Sequence, residues 1–177
     1  MNHIENLTEI QDLRAIAVDL APLLRDDAND DIALQFPETV SRYDGGPALV
    51  TRHLLEDQGG CEPEVRQQFV AFSDGRAVGM GAVQDRLNVP VGVPSGYPNI
   101  WSFICHPYRG KGIGQLLLAK NLETVDAQFG GHAWTRVPKT DETSIQAVER
   151  AGLRRVAEEE AALIYVRRLV QRVSNPA

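Results

Sequence analysis

Arg109-Gly110-Lys111-Gly112-Ile113-Gly114 stands between an apolar run that reads as a strand and a Leu-rich run that reads as a helix. Three glycines alternate through the entrance of that helix, although glycine is a poor helix former. The chain must therefore leave a strand, turn tightly and start a helix with its first N–H groups bare. A bare helix N-terminus offers open donors and partial positive charge, which suits an anion. Lys111 and Arg109 add full charges, so the segment reads as a phosphate cradle. The alternative is a flexible turn ahead of an ordinary helix.

Two common phosphate loops do not fit. No segment has G-x-x-x-x-G-K-[ST]. The dinucleotide frame G-x-G-x-x-G fails because the sixth position is Gln115 counted from Gly110 and Leu117 counted from Gly112. Arg-x-x-Gly-x-Gly at a strand-to-helix junction remains.

At 177 residues and 43% hydrophobic, the chain predicts one domain spanning 1–177 with a substantial core. No apolar run reaches membrane-spanning length, and the first residues lack the basic-then-apolar order of a secretory signal. A cytoplasmic protein is expected, with Cys61 and Cys105 as free thiols rather than a pair. The four histidines lie far apart, so no metal site is expected. A net charge of −6 argues against general nucleic-acid binding. Residues 1–64 hold 14 acidic and 4 basic side chains, whereas residues 65–177 hold 10 and 14. The cationic surplus therefore falls in the part that carries the glycine cradle.

The first 64 residues read mainly helical. Leu13, Ile16, Ala17 and Leu20 have helical spacing up to an interruption at Pro22, and 26–31 reads as an acidic loop. A second helix is expected from Pro47 to the Gly59-Gly60 pair. Asp74-Gly75 between two apolar runs predicts a hairpin. Three prolines and two glycines make 88–98 a loop, read as a mobile cover over a cleft. Beyond it come a strand at 100–105, the cradle and a helix with Leu118, Leu122, Val125 and Phe129 on one face up to Gly130-Gly131. Then follow a strand at 132–137, a helix capped by Thr140 and closing at Gly152, and strands near 153–158 and 162–169. No internal repeat, linker or second domain is visible.

The stretch from Ile104 to Leu118 resembles the acyl-CoA-binding motif of the GNAT superfamily of acetyl-CoA-dependent N-acyltransferases. Asp141 to Leu153 is similar to the helix that this family places after its fifth strand. The resemblance covers about residues 65–169, while 1–64 is less typical and shows no convincing first strand. It implies a single α/β domain with a mixed, mostly antiparallel sheet, splayed central strands and flanking helices. It also implies acetyl-CoA as cosubstrate, its diphosphate on the N–H groups of Arg109, Gly110, Lys111, Gly112, Ile113 and Gly114. The pantetheine arm would meet the backbone of Ile104 and Cys105. A small-molecule or peptide amine would be the acceptor, with no nucleic acid or membrane partner and a homodimer possible through the C-terminal sheet edges.

The implied reaction is direct attack of a neutral amine on the thioester, which calls for a base, an oxyanion donor near Cys105 and an acid for the thiolate. Many members carry a tyrosine acid where Val148 stands here. A thiol has a pKa near 8.5, so a free thiolate still leaves tolerably. The alternative function is an acyl-CoA sensor without catalysis. Family members also commonly have one more residue after the proline at Pro107, and an asparagine where Asp141 stands. His106 and Tyr165 are the catalytic candidates; their plainer readings are a surface imidazole and a core aromatic. Cys105 reads as a small buried residue rather than a nucleophile. Glu158, Glu159 and Glu160 read as a solvated hairpin. Trp101 and Trp134 are candidate walls of the acceptor site, or core.

Overall fold

Asp74 and Gly75 have φ of 49° and 79°, and Ser73 pairs with Arg76 across them. This is the two-residue turn with both central residues left-handed that the sequence predicts, and it suits the twist of the flanking strands. It joins β2 (Val65–Ser73) to β3 (Arg76–Gln84). The computed structural model describes residues 1–35, 65–85 and 89–168. Its other strands are β1 (Asn2–Asn6), β4 (Asn99–Ile104), β5 (Ala133–Pro138), β6 (Arg154–Glu158) and β7 (Ala162–Arg167). The helices are α1 (Leu13–Leu24), α2 (Asp30–Gln35), α3 (Ile113–Phe129) and α4 (Glu142–Arg150). The expected helix from Pro47, and Cys61, lie outside the described residues.

The seven strands form one sheet in the order β1-β2-β3-β4-β5-β7-β6. Neighbours are antiparallel except β4 and β5, which run parallel. Alternation along β4 divides the core. Phe103, with Cys105 just beyond the strand, faces α1 and α2 beside Leu20 and Ile32. Ile100 packs instead with Leu122 and Val125 of α3 and Val148 of α4, and Ile104 with Ile113 and Leu117. β3 is buried from Ala77 to Val83, as a central strand covered on both faces must be.

Several boundaries differ from the sequence reading. β1 escapes notice because Ile4 is its only large apolar residue; pairing with β2 and the stacking of His3 on Phe72 define it instead. Pro22 sits inside α1, whose last turn ends two residues later. The acidic stretch 26–31 is folded as a 3₁₀ turn at Asp27–Asn29 and the start of α2. Acidic residues are favourable at a helix N-terminus, which explains why such a polar run is not a loop. Asp141 rather than Thr140 caps α4, accepting from Ser144 N–H at 3.0 Å. Residues 89–98 are laid on the sheet: Val89, Val93 and Tyr97 pack on Trp134, Ile164 and Val166. Gly130, with φ 60°, ends α3 where expected.

No helix among the described residues is long and apolar enough to cross a membrane. Nor do the described residues contain a group of three or more His, Cys, Asp or Glu side chains able to hold a metal ion.

Candidate functional site

β4 and β5 share a single register pair, Asn99 with Trp134, and part beyond it. Trp134 N–H donates to Pro98 O at 2.9 Å and Asn99 Nδ2 to Trp134 O at 3.3 Å, pinning the closed end of the gap. At the open end Cys105 donates its N–H to Val78 O of β3 at 2.8 Å. Successive residues of an antiparallel strand turn their N–H and C=O to opposite sides. Ile104 and Ser102 therefore turn theirs toward β5, into the gap.

The cradle lies beside this opening. Gly112 is the N-cap of α3, no side chain caps it, and the first helical bond runs from Leu116 N–H to Gly112 O. The N–H groups of Ile113, Gly114 and Gln115 precede that bond and have no hydrogen-bond partner among the described residues. Gly110 and Gly112 need glycine for their φ of 75° and 79°. Gly114 has no such need, and a Cβ there would come no nearer than 3.9 Å to Ile104 Cγ1. Neither its backbone conformation nor packing against the described residues requires glycine at 114. The same contact sets the first turn of α3 next to Ile104, at the mouth of the gap.

Arg109 is more occupied than its charge suggests. Its Nε donates to Ile104 O at 2.7 Å, and its two terminal nitrogens reach Asp31 at 3.0 and 2.9 Å. Lys111 Nζ lies over the Tyr108 ring, 5.3 Å from its centre. The turn between β4 and the cradle is closed by Tyr108 N–H on Cys105 O at 2.9 Å, and its His106–Pro107 peptide is cis. Both backbone groups of Cys105 are thus used inside the protein. The N–H nearest Cys105 that faces the gap is that of Ile104.

The two catalytic candidates sit in separate places. The His106 side chain is exposed, while its backbone N–H donates to Asn29 Oδ1 at 2.7 Å. Tyr165 is 1% exposed, among Val83, Val137 and Leu163, and donates its hydroxyl to Glu149 Oε1 at 2.9 Å. Burial, then the bond to Glu149, pushes its pKa above the usual phenol value. Tyr165→Phe should therefore cost about 1 kcal/mol of stability for the lost bond. Its turnover should stay within about twofold of wild type, against the 10²–10⁴-fold loss expected of a general acid. A thiol-release assay beside a urea titration separates the two.

Cys105 is fully buried among Leu20, Met80 and Phe103. Burial pushes its thiol up to about 12, so it is neither ionised nor nucleophilic at neutral pH. The unfolded thiol ionises from an ordinary value of 9.0. A folded pKa raised in this way leaves its stabilisation intact below pH 9 and removes it as pH rises toward 12. Urea midpoints should fall above pH 9, by at most ~1.4 kcal/mol per pH unit for this group. Cys105→Ala should flatten that decline. Trp134 is buried against the 89–98 segment, and Trp101 is half-buried with its ring stacked on Phe103. Arg136 and Lys139 pair with Glu159 and Glu158, so the acidic hairpin is ion-paired as well as solvated.

A search of curated protein sequences finds no match to the chain. Residues 28–153 match the model of the family described as Acetyltransferase (GNAT) family. The chain belongs to this family. The match takes in α2, the cradle and α4. Among solved structures, this GNAT chain is similar to the PaiA N-acetyltransferase of Thermoplasma acidophilum in complex with coenzyme A. That pair shares 14% identity and a TM-score of 0.59, over 94% of this chain and 98% of the other. An N-acetyltransferase of Staphylococcus aureus gives 14% and 0.60, over 94% and 96%. The ribosomal-protein-S5-alanine acetyltransferase of Vibrio fischeri gives 12% and 0.59, over 94% and 90%. Likeness at these identities shows the shared fold.

Proposed function

We propose that this GNAT protein transfers an acetyl group from acetyl-CoA to a primary amine of a small molecule or a peptide, by direct attack. The observation that carries the reading is the bare start of α3 opening beside the β4–β5 gap, with Gly114 next to Ile104. A diphosphate on the N–H groups of Ile113 to Gln115 gains the helix dipole and three donors. An extended arm leading from it past Ile104 then fits the divergent strands. It could pair there with the N–H and C=O of Ser102 and the N–H of Ile104, as an added strand would.

The chemistry follows from what faces the gap. A thioester carbonyl in line with Ile104 N–H has a donor for the oxyanion that forms on attack. The amine must arrive neutral, and His106, exposed at the head of the turn, is the imidazole nearest Ile104 in sequence for removing its proton through water. Val148 is buried in the core and supplies no proton, and the Tyr165 hydroxyl is committed to Glu149. CoA therefore leaves as the thiolate, a tolerable leaving group near its ordinary pKa.

Val148 also favours the second reading, a sensor that binds acyl-CoA without turning it over. Calorimetry with acetyl-CoA, CoA and ATP tests the site: both CoA species should bind and ATP should not. Thiol release over polyamines, aminoglycosides, amino acids and peptides then tests the reaction. Binding without release on any acceptor would leave the sensor; ATP binding alone would remove both.

A further inference from the structure

The turn that carries the cradle is gripped by one short stretch of chain on the sheet face opposite α3. Asn29 is 1% exposed although it is an amide side chain. Its Nδ2 donates to Leu23 O at the end of α1 at 2.8 Å, and its Oδ1 accepts His106 N–H at 2.7 Å. Two residues on, Asp31 makes the two-pronged pair with Arg109, whose Nε holds Ile104 O. One segment of three residues thus meets both ends of the His106–Arg109 turn. Paired, planar Arg–carboxylate contacts fix orientation as well as position.

We infer that Asn29 and Asp31 are positioning residues for the cofactor site, coupling its occupancy to α2 through the turn and Arg109. The inference rests on the proposed CoA-binding role of the cradle. Arg109 then acts as a strut and not as a free cation for the diphosphate. It fixes the level of Ile104, whose N–H faces the gap, while Lys111 and the helix start meet the phosphates. Binding that steadies the turn steadies the stretch that grips it, and the converse holds by linkage. α2 is thereby informed of whether the cofactor is in place.

The test is hydrogen exchange and calorimetry on the full chain with CoA as the probe. In the wild type, CoA should slow exchange both at 110–118 and at 26–35. Asp31→Asn should weaken CoA by about fivefold, the scale of one partly exposed charge-assisted pair, and reduce the protection at 26–35 to the part that Asn29 carries while keeping that at 110–118. Asp31→Glu, which keeps the carboxylate, should recover most of both. In an Arg109→Gln background, Asp31→Asn should add nothing, since coupled residues are not additive. Wild-type affinity with unchanged protection at 26–35 in Asp31→Asn would overturn the coupling and leave the cradle's role standing. Additive losses, or a wild type that shows no protection at 26–35, would overturn it too. Failure of the wild type to bind CoA at all would take down the site reading and this inference together.

Discussion

Gly112→Asp is expected to leave the protein folded and to weaken CoA by at least about a hundredfold. At 4 Å and an effective dielectric near 20, each unit of like charge costs about 4 kcal/mol, more than such a loss requires. The side chain has room: none of the described residues lies within 4 Å of a Cβ at that position. The room is the space in front of the helix start that the diphosphate is proposed to fill. The left-handed φ of 79° makes any side chain cost about 1–2 kcal/mol, but aspartate tolerates that region better than most residues and suits a helix N-cap. Stability should therefore fall by about 1–2 kcal/mol, which leaves the chain folded. A companion variant, Gly114→Ala, should gain up to about 1 kcal/mol of helix stability while losing affinity, because only the ligand wants that face bare. Calorimetry and urea titration on both variants check this, and unchanged CoA affinity in Gly112→Asp would put the phosphates elsewhere.

Gly79→Ala should be the most damaging single methyl in the described structure. A Cβ there would stand 2.3 Å from Phe103 O, 2.7 Å from Ile104 Cδ1 and 3.1 Å from Ile104 Cα. Two of those atoms are backbone and cannot rotate away, so β3 and β4 must separate. A loss of about 3 kcal/mol or more is expected, at the upper end for overpacking. The strain lands on Ile104, whose N–H is the proposed oxyanion donor. The folded fraction should then also bind and turn over acetyl-CoA poorly. Gly81→Ala is the control: its nearest contacts, the movable end of Leu117 and the backbone Trp101 O, both lie at 3.2 Å, so the cost should be smaller. A melting temperature for Gly79→Ala within a degree or two of wild type would contradict the close approach of the two strands.

The parts of the fold legible in the sequence are those that local chemistry dictates. Asp74-Gly75 demands a left-handed turn, Gly130 a helix end, and three alternating glycines a bare helix start; each falls where its residues require. β1 was not legible, because five residues with one apolar side chain carry no usable period and are strands only by virtue of β2 beside them. The fold of the acidic stretch is not legible either, because aspartates in a row read locally as solvated charge. Asp26 instead accepts the Ala28 N–H, and Asp31 finds a partner 78 residues away. No local pattern reports a contact of that range. The same holds at the site. The bare helix start is legible, whereas the bond from Cys105 to Val78, the contacts of Arg109 with Asp31 and Ile104 and the bond from Tyr165 to Glu149 are products of tertiary packing.

A crystal structure of the chain with CoA tests the central claim most directly. The account predicts the diphosphate on the N–H groups of Ile113, Gly114 and Gln115, the pantetheine arm between β4 and β5 against Ser102 and Ile104, and Arg109 still on Asp31 and Ile104 O. A diphosphate bound away from the start of α3, or an arm lying outside the β4–β5 gap, would contradict it.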